Sequence, residues 1–138
     1  AAAGLKRLGL QHRITEYLTP EICLPAVGQG ALGIECRLDD HEVLNSIKFL
    51  NHEPTRVCDI AERAMNKHLH GGCQVPVAAY AVLNNDKINL RGLVGKTDGS
   101  LIIKAQAEDV IHNAELLGIK VAEDLLRQGA AEILKEFR

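Results

Sequence analysis

Three short stretches of the 138-residue chain gather side chains with chemical capability. His68-x-His70-x-x-Cys73 offers two imidazoles and a thiol, ligands that zinc accepts. On a helix, however, residues two apart stand roughly 200° around the axis, so both histidines face one ion only if the helix has already ended. No fourth ligand lies nearby in sequence, and two solvent-facing histidines at a helix C-terminus, where cationic character is favourable, account for the pattern more simply. Gly28-Gln29-Gly30-Ala31-Leu32-Gly33 spells G-x-G-x-x-G. A dinucleotide site needs a strand before those glycines and a helix opening within them, so that the helix N-terminus meets the pyrophosphate. Here Pro25 precedes the glycines and a strand-like alternation follows, so a flexible hinge entering a strand is expected instead. The third stretch, Gly71-Gly72-Cys73-Gln74-Val75-Pro76, puts a thiol on a turn whose glycines leave room for a ligand. From the residues alone, a buried structural cysteine beside a helix-ending glycine explains Cys73 better. Cys23, Cys36 and Cys58, each within or beside an apolar pattern, fit that structural role better still.

The hydrophobic pattern predicts the elements that hold these positions. Residues 1–10 read as a short helix, and Pro20 and Pro25 make 11–29 irregular. Leu32, Ile34, Cys36 and Leu38 alternate with polar or small residues, which predicts a half-buried strand. Asp39-Asp40 leads into a helix near 41–50, with Val43, Leu44, Ile47 and Leu50 on one face. Pro54 suits the first turn of a further helix, whose apolar stripe runs Val57, Ile60, Ala61, Ala64, Met65 and Leu69 before Gly71-Gly72 ends it. Strands follow at 75–83, 87–95 and 101–107, separated by turn-forming Asn84-Asn85-Asp86 and Thr97-Asp98-Gly99-Ser100. Asn113 is placed to cap a helix to about Arg127, Gly129 breaks it, and a short helix closes the chain.

Residues 53–138 thus predict an α+β domain: a three-stranded antiparallel sheet covered on one face by helices. Residues 1–52 offer too little to close a core of their own. The sole methionine is Met65, which suggests that Ala1 is not a translation start.

Composition narrows the function classes. With 46% hydrophobic and 25% charged residues the chain reads as an ordinary globular protein. No apolar run approaches the roughly 18 to 20 residues of a membrane-spanning helix, so no membrane role is expected. A formal charge of −2, no Trp, two Tyr and two Phe argue against a nucleic-acid groove, which needs basic and stacking surfaces. Four cysteines without a C-x-x-C pair suggest reduced thiols in the cytoplasm.

The runs AAAGLKRLGL, LPAVGQGALGIECR, AERAMN and GGCQVPVAAYA, in this order, resemble the bacterial porphobilinogen deaminases (hydroxymethylbilane synthases) over essentially the whole chain. The resemblance implies that residues 1–30 are the end of a second domain and a hinge, and 31–52 a strand and helix returning to a first domain. Residues 53–138 would be the complete C-terminal, cofactor-anchoring domain, so the chain would carry only the tail of two upstream α/β domains. It further implies a transferase of heme biosynthesis. Porphobilinogen loses ammonia to give an azafulvene, which the free α-carbon of a growing pyrrole chain attacks; four additions and a hydrolysis release linear hydroxymethylbilane.

By the same resemblance Cys73 carries a dipyrromethane cofactor through a thioether, which reverses the structural reading of this cysteine. Arg7 would bind pyrrole carboxylates, Gln29 would hydrogen-bond the cofactor, and no metal would be needed. The catalytic aspartate is expected in the missing upstream domains, leaving none in this fragment and the fragment alone inactive. A monomer is the family expectation. The alternatives from other classes are a small ligand-binding or regulatory α+β module, and a zinc-binding module built on His68, His70 and Cys73.

Overall fold

The computed structural model describes residues 1–72 and 74–137; Cys73 and Arg138 lie outside the described residues. Its centre is helix α3, Glu53–His68, with Pro54 in the first turn and Glu53 paired with Arg56 one turn on. Val57, Ala61, Met65 and Leu69 recur every four residues and are all buried, so one stripe of α3 faces the core. Strands β1 (Val77–Asn84), β2 (Lys87–Gly95) and β3 (Ile102–Val110) form an antiparallel meander in that order. The β1–β2 turn is two residues long, with Asn85 at φ +54°, a left-handed conformation that asparagine tolerates.

Alternation along the strands sorts their side chains. Ala79, Ala81, Ile88, Leu90, Val94, Ile103 and Ala105 point into the core beneath α3 and α4, Ala114–Arg127. Helix α5, Ala130–Lys135, follows Gly129 at φ +100° and adds Ile133 and Leu134. Where α3 and α4 cross, Gly118 lets the backbones meet; a Cβ there would lie 2.7 Å from that of Ala64. The α+β class, the three-stranded antiparallel sheet and the helices over one face are as the pattern predicts. Asn113 holds the position before α4, but its side-chain oxygen accepts no N–H of the first turn; its amide group donates to Asp109 at 3.0 Å.

The opposite sheet face carries residues 20–24 rather than a helix. Arg91 pairs with Glu21 at 3.1 Å and lies over the Tyr80 ring, 5.4 Å from its centre. The Pro25 carbonyl then accepts the Ala79 N–H at 3.2 Å, so the chain leaves along the free edge of β1.

A second prediction fails. Residues 31–38 form no strand: Leu32 and Leu38 are 98% and 92% exposed, and no strand of the described residues lies beside them. A strand needs a neighbour for its backbone N–H and C=O groups, and alternation alone does not supply one. Helix α2, His41–Ile47, does form, its first turn capped by the Asp40 side chain accepting the Val43 N–H at 3.1 Å, and a 3-10 turn completes 48–50. Leu44, Ile47 and Leu50 share a groove of about 760 Å³ with Leu32 and Ile34. Helix α1, Ala2–Arg7, packs on the one-turn helix Gln11–Arg13.

Candidate functional site

The turn after α3 is built by the helix end. His70 takes φ +54° and donates its N–H to the Lys67 carbonyl at 3.1 Å, while Gly71 donates to the Asn66 carbonyl at 2.9 Å. These two bonds form a Schellman motif, with histidine in the left-handed place usually held by glycine. Asn66 also donates its side-chain amide to the Gly71 carbonyl at 3.2 Å. A Cβ on Gly71 would collide with the Asn66 side chain, so the grip requires glycine there. At Gly72 a Cβ would meet nothing within 4 Å. Val75 then donates to the Gly72 carbonyl at 3.0 Å. Before Cys73 the chain is thus held to α3 through Gly71, and beyond it the Pro76 carbonyl accepts the Gly95 N–H at 3.1 Å; Cys73 itself lies outside the described residues.

The helix does end at His68, which removes the angular objection to a shared ligand. His68 is half-buried, His70 is exposed, and both line a groove of about 610 Å³ with Lys67 and Glu115. Among the described residues no cluster of three His, Cys, Asp or Glu side chains is placed to hold a metal ion.

The glycine motif meets no helix. Gly28 and Gly30 have φ of +69° and +88°, the Gln29 N–H donates to the Ala26 carbonyl at 3.0 Å and Ala31 to that of Gly28 at 3.1 Å. Two tight turns of irregular chain stand where a dinucleotide site needs strand and helix. Gln29 is exposed at the rim of a cleft of about 440 Å³, whose walls include Cys58, Asp59, Glu62 and Tyr80. Arg7 is exposed on α1 and does not line that cleft. Gly71, Gly72 and Gln74 do not line it either, so among the described residues only Gln29 of these positions borders this cleft.

Reasoning from the sequence missed the residue beneath the hinge. Glu62 is only 7% exposed; one carboxylate oxygen accepts the Gly28 N–H and the other the Ala81 N–H, both at 2.8 Å. Burial pushes its pKa up, and the two backbone donors oppose that rise without cancelling it. Asp59 binds Arg63 at 2.6 Å through one oxygen, while its other oxygen is buried without a hydrogen bond and faces Gly28. The signal was available: Glu62 lies roughly 60° around the helix from Met65, at the margin of the apolar stripe rather than opposite it. Cys58 is half-buried in the same cleft, but Cys23 is exposed, because residues 20–24 lie on the surface of the sheet rather than within a core. The three described cysteines are free thiols.

Comparison with known families assigns this architecture. Residues 56–127 match the porphobilinogen deaminase C-terminal domain, taking in most of α3, the sheet and α4. Residues 1–45 match the porphobilinogen deaminase dipyromethane cofactor binding domain, taking in α1 and the glycine hinge. The chain belongs to the porphobilinogen deaminase family.

Proposed function

We propose that this chain works within a longer enzyme that joins four porphobilinogen molecules, with loss of ammonia, into linear hydroxymethylbilane. Residues 1–30 would be the end of a second domain and the hinge, 31–52 a return to a first domain, and 53–138 the domain that anchors the cofactor. The two family matches, over residues 1–45 and 56–127, are the observation that supports such an enzyme. Family membership supports a transferase of tetrapyrrole biosynthesis and a dipyrromethane cofactor.

Cys73 is the anchor in this reading. A thiolate is a soft, strong nucleophile, and the thioether it forms survives repeated turnover. The bound dipyrromethane supplies the free pyrrole α-carbon from which the chain grows. The turn suits an anchor, since Asn66 fixes Gly71 and a Cβ on Gly72 would meet nothing within 4 Å. Arg7 binds pyrrole carboxylates through its planar fork, a bidentate geometry that lysine does not reproduce. Gln29 hydrogen-bonds the cofactor from the hinge. In this reading the catalytic aspartate belongs to an upstream domain, the chain alone is inactive, and the working enzyme is a cytoplasmic monomer.

Peptide mass spectrometry of the full-length enzyme tests the anchor. A dipyrrole adduct on the peptide containing Cys73, absent in Cys73→Ser, is the expected result. An adduct on Cys23, Cys36 or Cys58, or active enzyme without any adduct, overturns it.

A further inference from the structure

Glu62 is the only charged side chain buried among the described residues, and the proposed anchoring at Cys73 does not involve it. Its two oxygens hold two segments far apart in sequence, Gly28 in the hinge and Ala81 in the edge strand. We propose that Glu62 is a positioning residue whose carboxylate clasps the glycine hinge to the free edge of the sheet, fixing the direction in which the chain before Gly28 leaves the C-terminal domain.

The surroundings fit a clasp rather than an incidental buried acid. Edge strand β1 presents the N–H groups of Ala79 and Ala81 away from β2, and the Pro25 carbonyl takes one while Glu62 takes the other. Residues 25–28 therefore lie along that edge and shield it as a pairing strand would. Val27 packs against the core between these two anchor points. Gly28 comes close because it has no side chain; a Cβ there would stand 2.9 Å from Asp59 Oδ1. Only an ionised carboxylate accepts both bonds with equal ease. A glutamine amide accepts one N–H but turns its own NH2 group toward the other. The charges acting on Glu62 are those of Asp59 and Arg63 on its own helix. The hinge from 25 to 30 carries no titratable side chain, and β1 adds Tyr80 in the same cleft.

The consequence for turnover rests on the porphobilinogen deaminase reading. A site whose product lengthens by one ring per cycle needs domains that shift in a controlled way, and hinge segments absorb the backbone change. Loosening the hinge at Glu62 then slows elongation while leaving substrate capture intact.

Amide hydrogen exchange and steady-state kinetics on full-length Glu62→Gln test this together. Expected are exchange at Gly28 and Ala81 faster by about tenfold or more at both sites, and a kcat lowered by roughly tenfold with KM changed less than about twofold. Short covalent pyrrole chains should accumulate, and Glu62→Asp should restore part of kcat. Unchanged exchange at Gly28 overturns the clasp; faster exchange at both amides with wild-type kcat overturns its role in elongation. If Glu62→Gln fails to fold, the wild-type protein still decides: the amide shifts of Gly28 and Ala81 should follow one shared acid transition, and separate transitions or none overturn the proposal. Wild-type protein that lacks deaminase activity but shows the two amides coupled supports the clasp and refutes the enzyme reading.

Discussion

Asn66 holds Gly71 from two directions, its carbonyl accepting the Gly71 N–H at 2.9 Å and its side-chain amide donating to the Gly71 carbonyl at 3.2 Å. One residue of α3 thus governs the path of the chain into the Cys73 turn. Asn66→Ala removes the side-chain bond and should cost about 1 kcal/mol of stability. Gly71→Ala drives a methyl group into the Asn66 side chain and displaces the turn, so it should cost more, about 2 to 3 kcal/mol. Urea denaturation should show that order, and the fraction of full-length enzyme carrying cofactor should fall in Gly71→Ala. Equal stability of Gly71→Ala and wild type would mean that Asn66 does not grip the turn.

The two hinge glycines should differ in kind. Both have positive φ, so alanine at either carries a left-handed backbone strain of about 1 kcal/mol. At Gly30 nothing else opposes it, since a Cβ would meet open space. At Gly28 the added methyl meets Asp59 and Arg63 and pushes the hinge off Glu62. Gly28→Ala should therefore be the more destabilising by chemical denaturation, and neither variant should change affinity for NAD or ATP. Tight, saturable NAD binding that vanishes in Gly30→Val would overturn the hinge reading.

Legibility in the sequence tracks how local the determining physics is. The α3 stripe from Val57 to Leu69, the meander and its Asn-rich turn all depend on neighbours close in the chain, and each forms where the pattern places it. Residues 31–38 have an equally clear alternation but lack a partner strand, and pairing is not encoded in alternation. Asn113 has the residue type of a cap, yet its side-chain oxygen caps no N–H of α4 and its amide group donates to Asp109 instead of standing free. The grip of Glu62 on Gly28 and Ala81 is invisible in the sequence for a related reason. Glu62 reaches across 34 and 19 residues, separations at which residue type gives no hint of contact.

Acid stability should carry opposed contributions from two glutamates of α3. The Arg56 hydrogen bond lowers the pKa of Glu53 from 4.5 to about 2. A carboxylate with a depressed folded-state pKa contributes stability above its unfolded value and loses it as the pH falls through the folded value. The Glu53 contribution is therefore complete above 4.5 and fades toward 2. Burial raises the pKa of Glu62, which reverses the sign: its folded state favours the protonated form, so its contribution is greatest below 4.5 and declines as the pH rises through the raised value. Stability measured in urea from acid to neutral pH should lose part of its acid-side slope in Glu53→Gln. In Glu62→Gln the decline above 4.5 should disappear. An acid limb unchanged in Glu53→Gln would show that the Arg56 pair contributes nothing.

Thiol reactivity should separate the cysteines and report on Glu62 at the same time. Cys23 is exposed on the segment crossing the sheet, whereas Cys58 is half-buried in the cleft beneath the hinge. Burial first, and the nearby Glu62 charge second, push the Cys58 thiol up, with a backbone contact from Leu83 working against them. The thiolate is the reacting species, so each unit of increase removes about tenfold of it at neutral pH. Brief alkylation followed by peptide mass spectrometry should label Cys23 at least roughly tenfold faster than Cys58. Glu62→Gln removes the neighbouring negative charge and loosens the hinge that roofs the cleft, so both effects should speed labelling of Cys58. Labelling of Cys23 should stay constant and serve as the internal reference. Cys58 reacting as fast as Cys23 in the wild type would contradict its burial; a rate at Cys58 indifferent to Glu62→Gln would mean that neither the charge nor the hinge governs access to this cleft.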